Sequence, residues 1–539
     1  MARVHRGDTI PRQKRPSDRR LRSNVADQSF PNAAQPTHPG PMMNALGGEK
    51  LTVNGPAPVT PDLPPKTRRS PADSEGGTGY KEVLQNRKFL RLWTAQIISQ
   101  TNMNAANYGL ITLIATESRS LTATAGAIVA FSLPALLIGA PAGVLVDRLD
   151  RRAVLLVSNI LRGLASLAFV VFLLLDRTAL LPIYALTFFI SMVGQFFGPA
   201  EGAAIPKLVK PKSLMNALAL FNITFTVSQA LGLIIIGPLV LLTVPLLPRP
   251  ISQYPAETLF LLIAALYFVC VWLINQIPAD DLRTKPDESG GRNRRPERPW
   301  MDMWGAITQT MHYVVKRPLL TIALFQLSLA GVVTAVIAMI APAFVGYYFG
   351  LPAASAALVF IPAGIGLVLG AAITPRLARH IRYTRLVGGG IALVVACALG
   401  IAFTRFYTST TWGQYDWTRD PWYYGLVLGL TFILGVALDL INVPAQAKMQ
   451  ELSEDYIKGR VLALQIMALN AITIPVILII GYVADLTKMP SVAVVLLAIF
   501  VGVTGAVSMF AWVYFSRRAE RQTLAHAGVE ARAPESVLD

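Results

Sequence analysis

Between Pro318 and Pro375 the chain carries no Asp, Glu, Lys or Arg at all. The stretches Leu121 to Val146, Ser213 to Pro248 and Met489 to Ser516 are equally free of charge. An uncharged apolar run of about 18 residues or more is what a helix needs to cross the hydrocarbon core of a bilayer. A buried helix of a water-soluble domain is shorter and keeps a polar face. Composition agrees, with 53% hydrophobic and only 15% charged residues, against about 25% charged in a soluble domain. The expected fold class is therefore an all-α integral membrane protein.

Twelve spans are expected, at about 89–116, 121–146, 153–175, 182–206, 213–243, 258–277, 317–346, 352–375, 385–404, 422–446, 459–484 and 489–515. An even number puts both termini on one side. The loops of that side hold Arg148, Arg151 and Arg152, then Lys207, Lys210 and Lys212, then Arg376, Arg379, Arg382 and Arg385, then Lys448, Lys458 and Arg460. The opposite loops hold only Arg119, Arg177, Arg249, Arg405, Arg419 and Lys488. Basic loops stay in the cytoplasm, so both termini are expected there, in the cell membrane. The net charge of +17 is then chiefly a topology signal and not a nucleic-acid footprint. Residues 1–85 are rich in Pro, Arg, Ser and Gly and read as a disordered basic tail. They contain no apolar segment of a secretory signal, so the first span is expected to target the membrane. The remaining organisation is an N-terminal six-helix half (86–277), a cytoplasmic linker (278–316), a C-terminal six-helix half (317–516) and a second tail (517–539). Cys270 and Cys397 both lie in apolar runs and imply neither a disulfide framework nor a metal site.

The halves resemble each other. Pro134 precedes Arg148 by the same interval as Pro362 precedes Arg376, each where a second span runs into a short basic loop. Leu208 with Leu218-Ala219-Leu220 matches Leu452 with Leu462-Ala463-Leu464 at a constant offset. Two parallel six-helix halves related by an axis along the membrane normal are one of the known transporter arrangements.

The sharpest local pattern is Gly143-Val-Leu-Val-Asp147-Arg148-Leu-Asp150-Arg151-Arg152. It resembles the signature between spans two and three of the major facilitator superfamily, except that Asp150 stands where the family has glycine. That resemblance implies twelve helices in two parallel halves, with Gly143, Asp147, Arg148, Arg151 and Arg152 in a cytoplasmic gate. The partner would be the start of the eleventh span at Lys458-Gly459-Arg460, whose positive helix end can meet a carboxylate. The other reading is that Asp147 pairs with neighbouring arginines. Phe89-Leu-Arg-Leu-Trp93-Thr-Ala-Gln96, Phe196-Phe-Gly-Pro199-Ala200, Ile205-Pro206-Lys-Leu-Val209 and Gln450-Glu-Leu are similar to the drug-efflux, enterobactin-exporter and macrolide-efflux branch. Gly237-Pro238 resembles the core of the antiporter motif, without the paired glycines that follow it there.

Ionisable residues inside spans are costly and mark function by default. Arg162 and Glu201 lie at similar depths in the third and fourth spans and are expected to pair, for structure or for coupling. Asp439, near Asn442 in the tenth span, is the best single candidate to bind a proton or cation. The first span has no acid between Arg91 and Glu117, where many relatives carry one. In this superfamily the first, fourth, seventh and tenth spans line the cavity. The resemblance therefore makes Gln96, Gln100, Asn104, Asn107, Gln195, Gln326 and Asn442 cavity candidates, the alternative for each being an interhelical hydrogen bond. Amides and aromatics with few charges suit a neutral or amphipathic organic molecule. There is no phosphate-cradling loop and no metal-ligand cluster, so neither an enzyme nor a cofactor is expected. The expected function is alternating-access export of small amphipathic or hydrophobic organic molecules, with protons and the lipid bilayer as partners and a monomer as the working unit. An uncoupled or inward facilitator is the alternative, and a membrane receptor, scaffold or lipid-handling protein is the alternative from another class.

Overall fold

The computed structural model describes residues 76–146, 149–282, 299–411, 421–454 and 457–530. Among them every regular element is helical. Twelve long helices correspond to the expected spans. They are α1 (Arg87–Ser118), α2 (Leu121–Val146), α3 (Arg151–Leu175), α4 (Leu180–Leu208), α5 (Pro211–Leu246), α6 (Pro255–Asn275), α7 (Pro318–Phe349), α8 (Ala357–Leu377), α9 (Tyr383–Thr411), α10 (Pro421–Leu452), α11 (Lys458–Thr487) and α12 (Pro490–Glu530). Among the described residues 11 of these are long and apolar enough to cross a bilayer by composition alone. The twelfth, α1, has the length, at 32 residues or about 48 Å. Its amides at 96, 100, 102, 104 and 107 dilute its hydropathy. Those amides are admissible because α1 is wrapped by α2, α5 and α6.

The duplication seen in the sequence is a duplication of packing. In the N-terminal half α2 packs on α4, α3 on α4 and α6, and α1 on α6; in the C-terminal half α8 packs on α10, α9 on α10 and α12, and α7 on α12. Pro134 and Pro362 sit inside the equivalent helices α2 and α8. Large side chains point outward along the bundle, among them Leu137, Val171, Val368, Ile479 and Phe510. They form the surface that faces lipid, where apolar exposure costs nothing.

We refer to the end of the bundle where α1 begins and α12 ends as the tail end and to the opposite end as the far end. Toward the far end one apolar core runs through both halves, joining Ile111, Ile114 and Ile128 to Val333, Met339 and Ile477. Toward the tail end the core divides. Phe89, Leu92, Leu155, Phe197 and Ile205 form one cluster within the N-terminal half. Leu320, Leu327, Met449 and Val461 form another within the C-terminal half. The halves thus share one apolar core toward the far end and hold separate clusters toward the tail end.

The tail was expected to reach residue 85, but Gly76–Gln85 forms a helix. Val83 is buried against Phe89 and Leu92. Glu82 bonds Lys210 and Ser213, and these partners hold its carboxyl below the usual carboxylate range. The expectations for the first 75 residues lie outside the described residues. Asn86 separates the tail helix from α1. Its Oδ1 accepts from the N–H groups of Lys88 and Phe89, and its Nδ2 donates to the Leu208 carbonyl at 2.6 Å. Asn86→Ala is expected to lower stability by about 1 kcal/mol, the usual worth of an N-cap, measurable as a lower thermal midpoint of the detergent-solubilised chain.

Candidate translocation site

Several expected site residues serve the packing of their own half. Gln96 is fully buried and donates to the Phe221 carbonyl of α5 at 3.3 Å. Gln326 is also fully buried. Its Oε1 accepts from the Tyr383 hydroxyl at 2.5 Å and its Nε2 donates to Ser508 Oγ at 3.3 Å. That ties α7 to α9 and α12, and it corrects the expectation that Gln326 lines a cavity. These two match the alternative reading, interhelical hydrogen bonds, because a buried amide without partners is costly. Gln100, Asn104, Asn107 and Gln195 are half-buried and Asn442 is exposed. Asn104 and Gln195 bond their own helix, through the carbonyls of Gln100 and Ser191. The Asn107 amide oxygen is buried with no hydrogen-bond partner among the described residues. Its side chain borders a cavity of about 20 Å³ with Phe131, Phe169 and Phe260.

Arg162 and Glu201 are buried in the same half, but they do not form the expected pair. Arg162 Nη1 donates to Ser99 Oγ at 2.9 Å, and its guanidinium lies 4.9 Å from the centre of the Phe197 ring and 5.7 Å from that of Tyr267. Both Glu201 oxygens are buried without a hydrogen-bond partner among the described residues. Two aromatic faces and a hydroxyl take up the guanidinium in place of the carboxylate, and its Nε is buried without a hydrogen-bond partner among the described residues. Nothing in the sequence says which neighbour wins, since Ser99, Phe197 and Tyr267 come from three other helices.

Asp439 is buried on α10 where that helix meets α8. A Cβ added at Gly370 would stand 2.9 Å from Asp439 Cβ. One turn away, a Cβ at Gly366 would land on the Phe432 carbonyl oxygen, and one at Gly435 on the Ala363 carbonyl oxygen. The two helices touch backbone to backbone along Gly366, Gly370 and Gly435. This seam was missed at the sequence level, although Gly366 and Gly370 have the four-residue spacing of a small-residue helix contact.

The expected gate is only partly described, since Asp147 and Arg148 lie outside the described residues. Gly143 and Gly459 have no described atom within 4 Å of a built Cβ, and Lys458, Gly459 and Arg460 are exposed. Arg152, expected in the gate, bonds within its own half. Its Nε donates to the Ile277 carbonyl at 3.1 Å and its Nη2 to the Asn275 carbonyl at 2.8 Å and to Asn275 Oδ1 at 2.9 Å. A cation at the negative end of α6 is favourable, so Arg152 stays within its own half. Arg460 reaches Gln309 of the linker helix Pro299–Val315. Asp150, where the family has glycine, is the N-cap of α3 and accepts from the Ala153 N–H. A cluster not foreseen ties the C-terminal half at the tail end, where Arg317 bonds both Glu454 and Tyr313.

Two like helical halves, sharing a core toward one end and holding separate clusters toward the other, have the arrangement of a membrane transporter. A profile of the Major Facilitator Superfamily matches residues 92–415, and the chain belongs to that family. It is a transporter and not an enzyme. Curated relatives are distant. The "uncharacterized MFS-type transporter YfiS" of Bacillus subtilis (strain 168) is 23% identical over 338 residues, covering 61% of this chain and 70% of the relative. YkuC of the same strain, also an uncharacterized MFS-type transporter, is 27% identical over 152 residues, covering 28% of this chain and only 35% of the relative. Among solved structures, the nucleoside transporter NupG superposes with a TM-score of 0.56 at 14% identity, covering 80% of this chain and 98% of that one. A bacterial homologue of the iron transporter ferroportin in an inward-facing state gives a TM-score of 0.55 at 14% identity, covering 78% and 99%. At such identities the likeness is one of fold.

Proposed function

We propose that this chain exports small amphipathic or hydrophobic organic molecules in exchange for protons, as a monomer with its tail end in the cytoplasm. The carrying observation is the pair of buried carboxyls, Asp439 in one half and Glu201 in the other, neither in an ion pair among the described residues. An ionised carboxyl in an apolar surrounding is costly, so each is a group that holds a proton in one state of the cycle and releases it in another. Asp439 sits on the α8–α10 seam, where a change of charge reaches two helices at once. The half-buried amides of α1 and α4, with Phe131 and Phe196 near them, suit a neutral organic surface better than an anion. The basic loops of the tail end support a cytoplasmic placement, and the motifs quoted above support the efflux branch. The cycle is a rocking of the two halves, with substrate entering from the tail end.

The absence of an acid between Arg91 and Glu117 favours a second reading, uncoupled or inward transport of a metabolite. The test is counterflow and pH-gradient-driven transport of lipophilic drugs and siderophore-like compounds in proteoliposomes, wild type against Asp439→Asn. Gradient-driven transport is expected to fall by about tenfold or more in the variant, with counterflow retained, as for loss of an intramembrane ionisable group. Full driven transport by the variant removes Asp439 from the coupling path. Counterflow by wild type without gradient dependence selects the second reading.

A further inference from the structure

Asp485 stands near the far end of α11, and its carboxylate leaves its own half of the molecule. Oδ1 accepts from the Leu121 N–H at 2.8 Å. Oδ2 accepts from the Thr122 N–H at 2.9 Å and from the Ser120 hydroxyl at 2.6 Å. All three donors belong to the start of α2, a 26-residue helix of the other half. The first N–H groups of a helix have no partner within it, and that end carries partial positive charge. A carboxylate from outside therefore forms charge-assisted hydrogen bonds there. Ser120 completes the cap, since its own Oγ accepts from the Ala123 N–H at 3.1 Å.

The surroundings fit a contact that closes and releases. One turn back on α11, a Cβ at Gly481 would stand 3.0 Å from the Leu121 carbonyl oxygen, so the two backbones touch. A second bond crosses the halves nearby, where the Tyr108 hydroxyl donates to the Ala354 carbonyl at 2.6 Å and accepts from the Ala357 N–H at 3.2 Å. Beside both lies a cavity of about 1040 Å³ bordered by Glu117, Arg119, Asp485 and Lys488. If the helices part, water reaches the freed carboxylate and the freed N–H groups, so release does not strand a dry charge. Opening of the far end must separate α2 from α11, and these bonds exist only while it is shut.

We propose that Asp485 is a gating residue, the releasable latch of the far end, which caps α2 from the opposite half when that end is closed. At the far end the acid belongs to α11. At the tail end Asp147 lies outside the described residues, and Gly143 of α2 and Gly459 of α11 stand clear of described atoms.

The test needs no substrate. Spin labels are placed on the full-length chain in nanodiscs at Leu246→Cys and Met489→Cys, which are 82% and 52% exposed at the far end of opposite halves. Their distance distribution is compared for wild type, Asp485→Asn and Ser120→Ala. The ratio of the longer to the shorter distance population is expected to rise about tenfold in Asp485→Asn, the size of losing a hydrogen bond to a charged group, and less in Ser120→Ala. Should Asp485→Asn fail to fold, the rise in Ser120→Ala alone decides the matter. Unchanged distributions in the folded variants would make the contact a static cap and overturn the proposal.

Discussion

Valine in place of Gly366 or Gly435 is expected to force α8 from α10 and to lower stability by about 3 kcal/mol or more, at the upper end of what overpacking costs. The obstacle is backbone and not a side chain. The carbonyl oxygens of Phe432 and Ala363 occupy the space a Cβ would take, and a carbonyl held in its own helix cannot swing aside. The expected result is loss of the monodisperse peak on size exclusion or a markedly lower thermal midpoint, with transport lost alongside because Asp439 lies on the same seam. Gly425 and Gly429 supply the control. They lie on the same helix with nothing within 4 Å of a built Cβ, so valine there is expected to be nearly neutral. Equal effects at all four positions would mean that glycine content and not the close approach governs this helix.

The second large effect is expected at Arg162. Arg162→Met removes a buried cation from Ser99, Phe197 and Tyr267 and takes the nearby positive charge away from Glu201, a loss of about 3 kcal/mol. Glu201→Gln is expected to change stability little, because neither carboxyl oxygen has a hydrogen-bond partner among the described residues. The double variant should recover part of the Arg162→Met loss, since two buried groups replaced together leave no uncompensated charge. A thermal-stability cycle over the four proteins measures this coupling. Gradient-driven transport read on the same four decides the role of Glu201. If Glu201→Gln folds and still couples transport to the gradient, the carboxyl is part of the structure only.

What proved legible in the sequence was local. In lipid each span must satisfy its own backbone hydrogen bonds, so the length of an apolar run and the absence of charge fix a helix without reference to its neighbours. That is why the uncharged stretch from Pro318 to Pro375 announced two spans and why the duplicated spacing of Pro134 and Pro362 announced two like halves. The place where this logic was thinnest was α1, whose amides make it too polar for hydropathy and whose shelter comes from three other helices. The gate motif was legible as a pattern, yet Arg152 turned to the end of α6 because the carbonyls of Asn275 and Ile277 were nearer than the other half.

What only the tertiary structure decided was the rotation of each helix and hence the partner of each polar group. A helix apolar on all sides has no favoured face, so its orientation is set by packing against neighbours. For that reason Gln326 could not be told from a cavity residue, and Arg162 could not be assigned to aromatic rings ahead of Glu201. By sequence Asp485 is one acid that follows an apolar run. Its meaning depends on the first turn of a helix more than 350 residues away in the chain, brought beside it by the meeting of two halves that sequence alone specifies only separately.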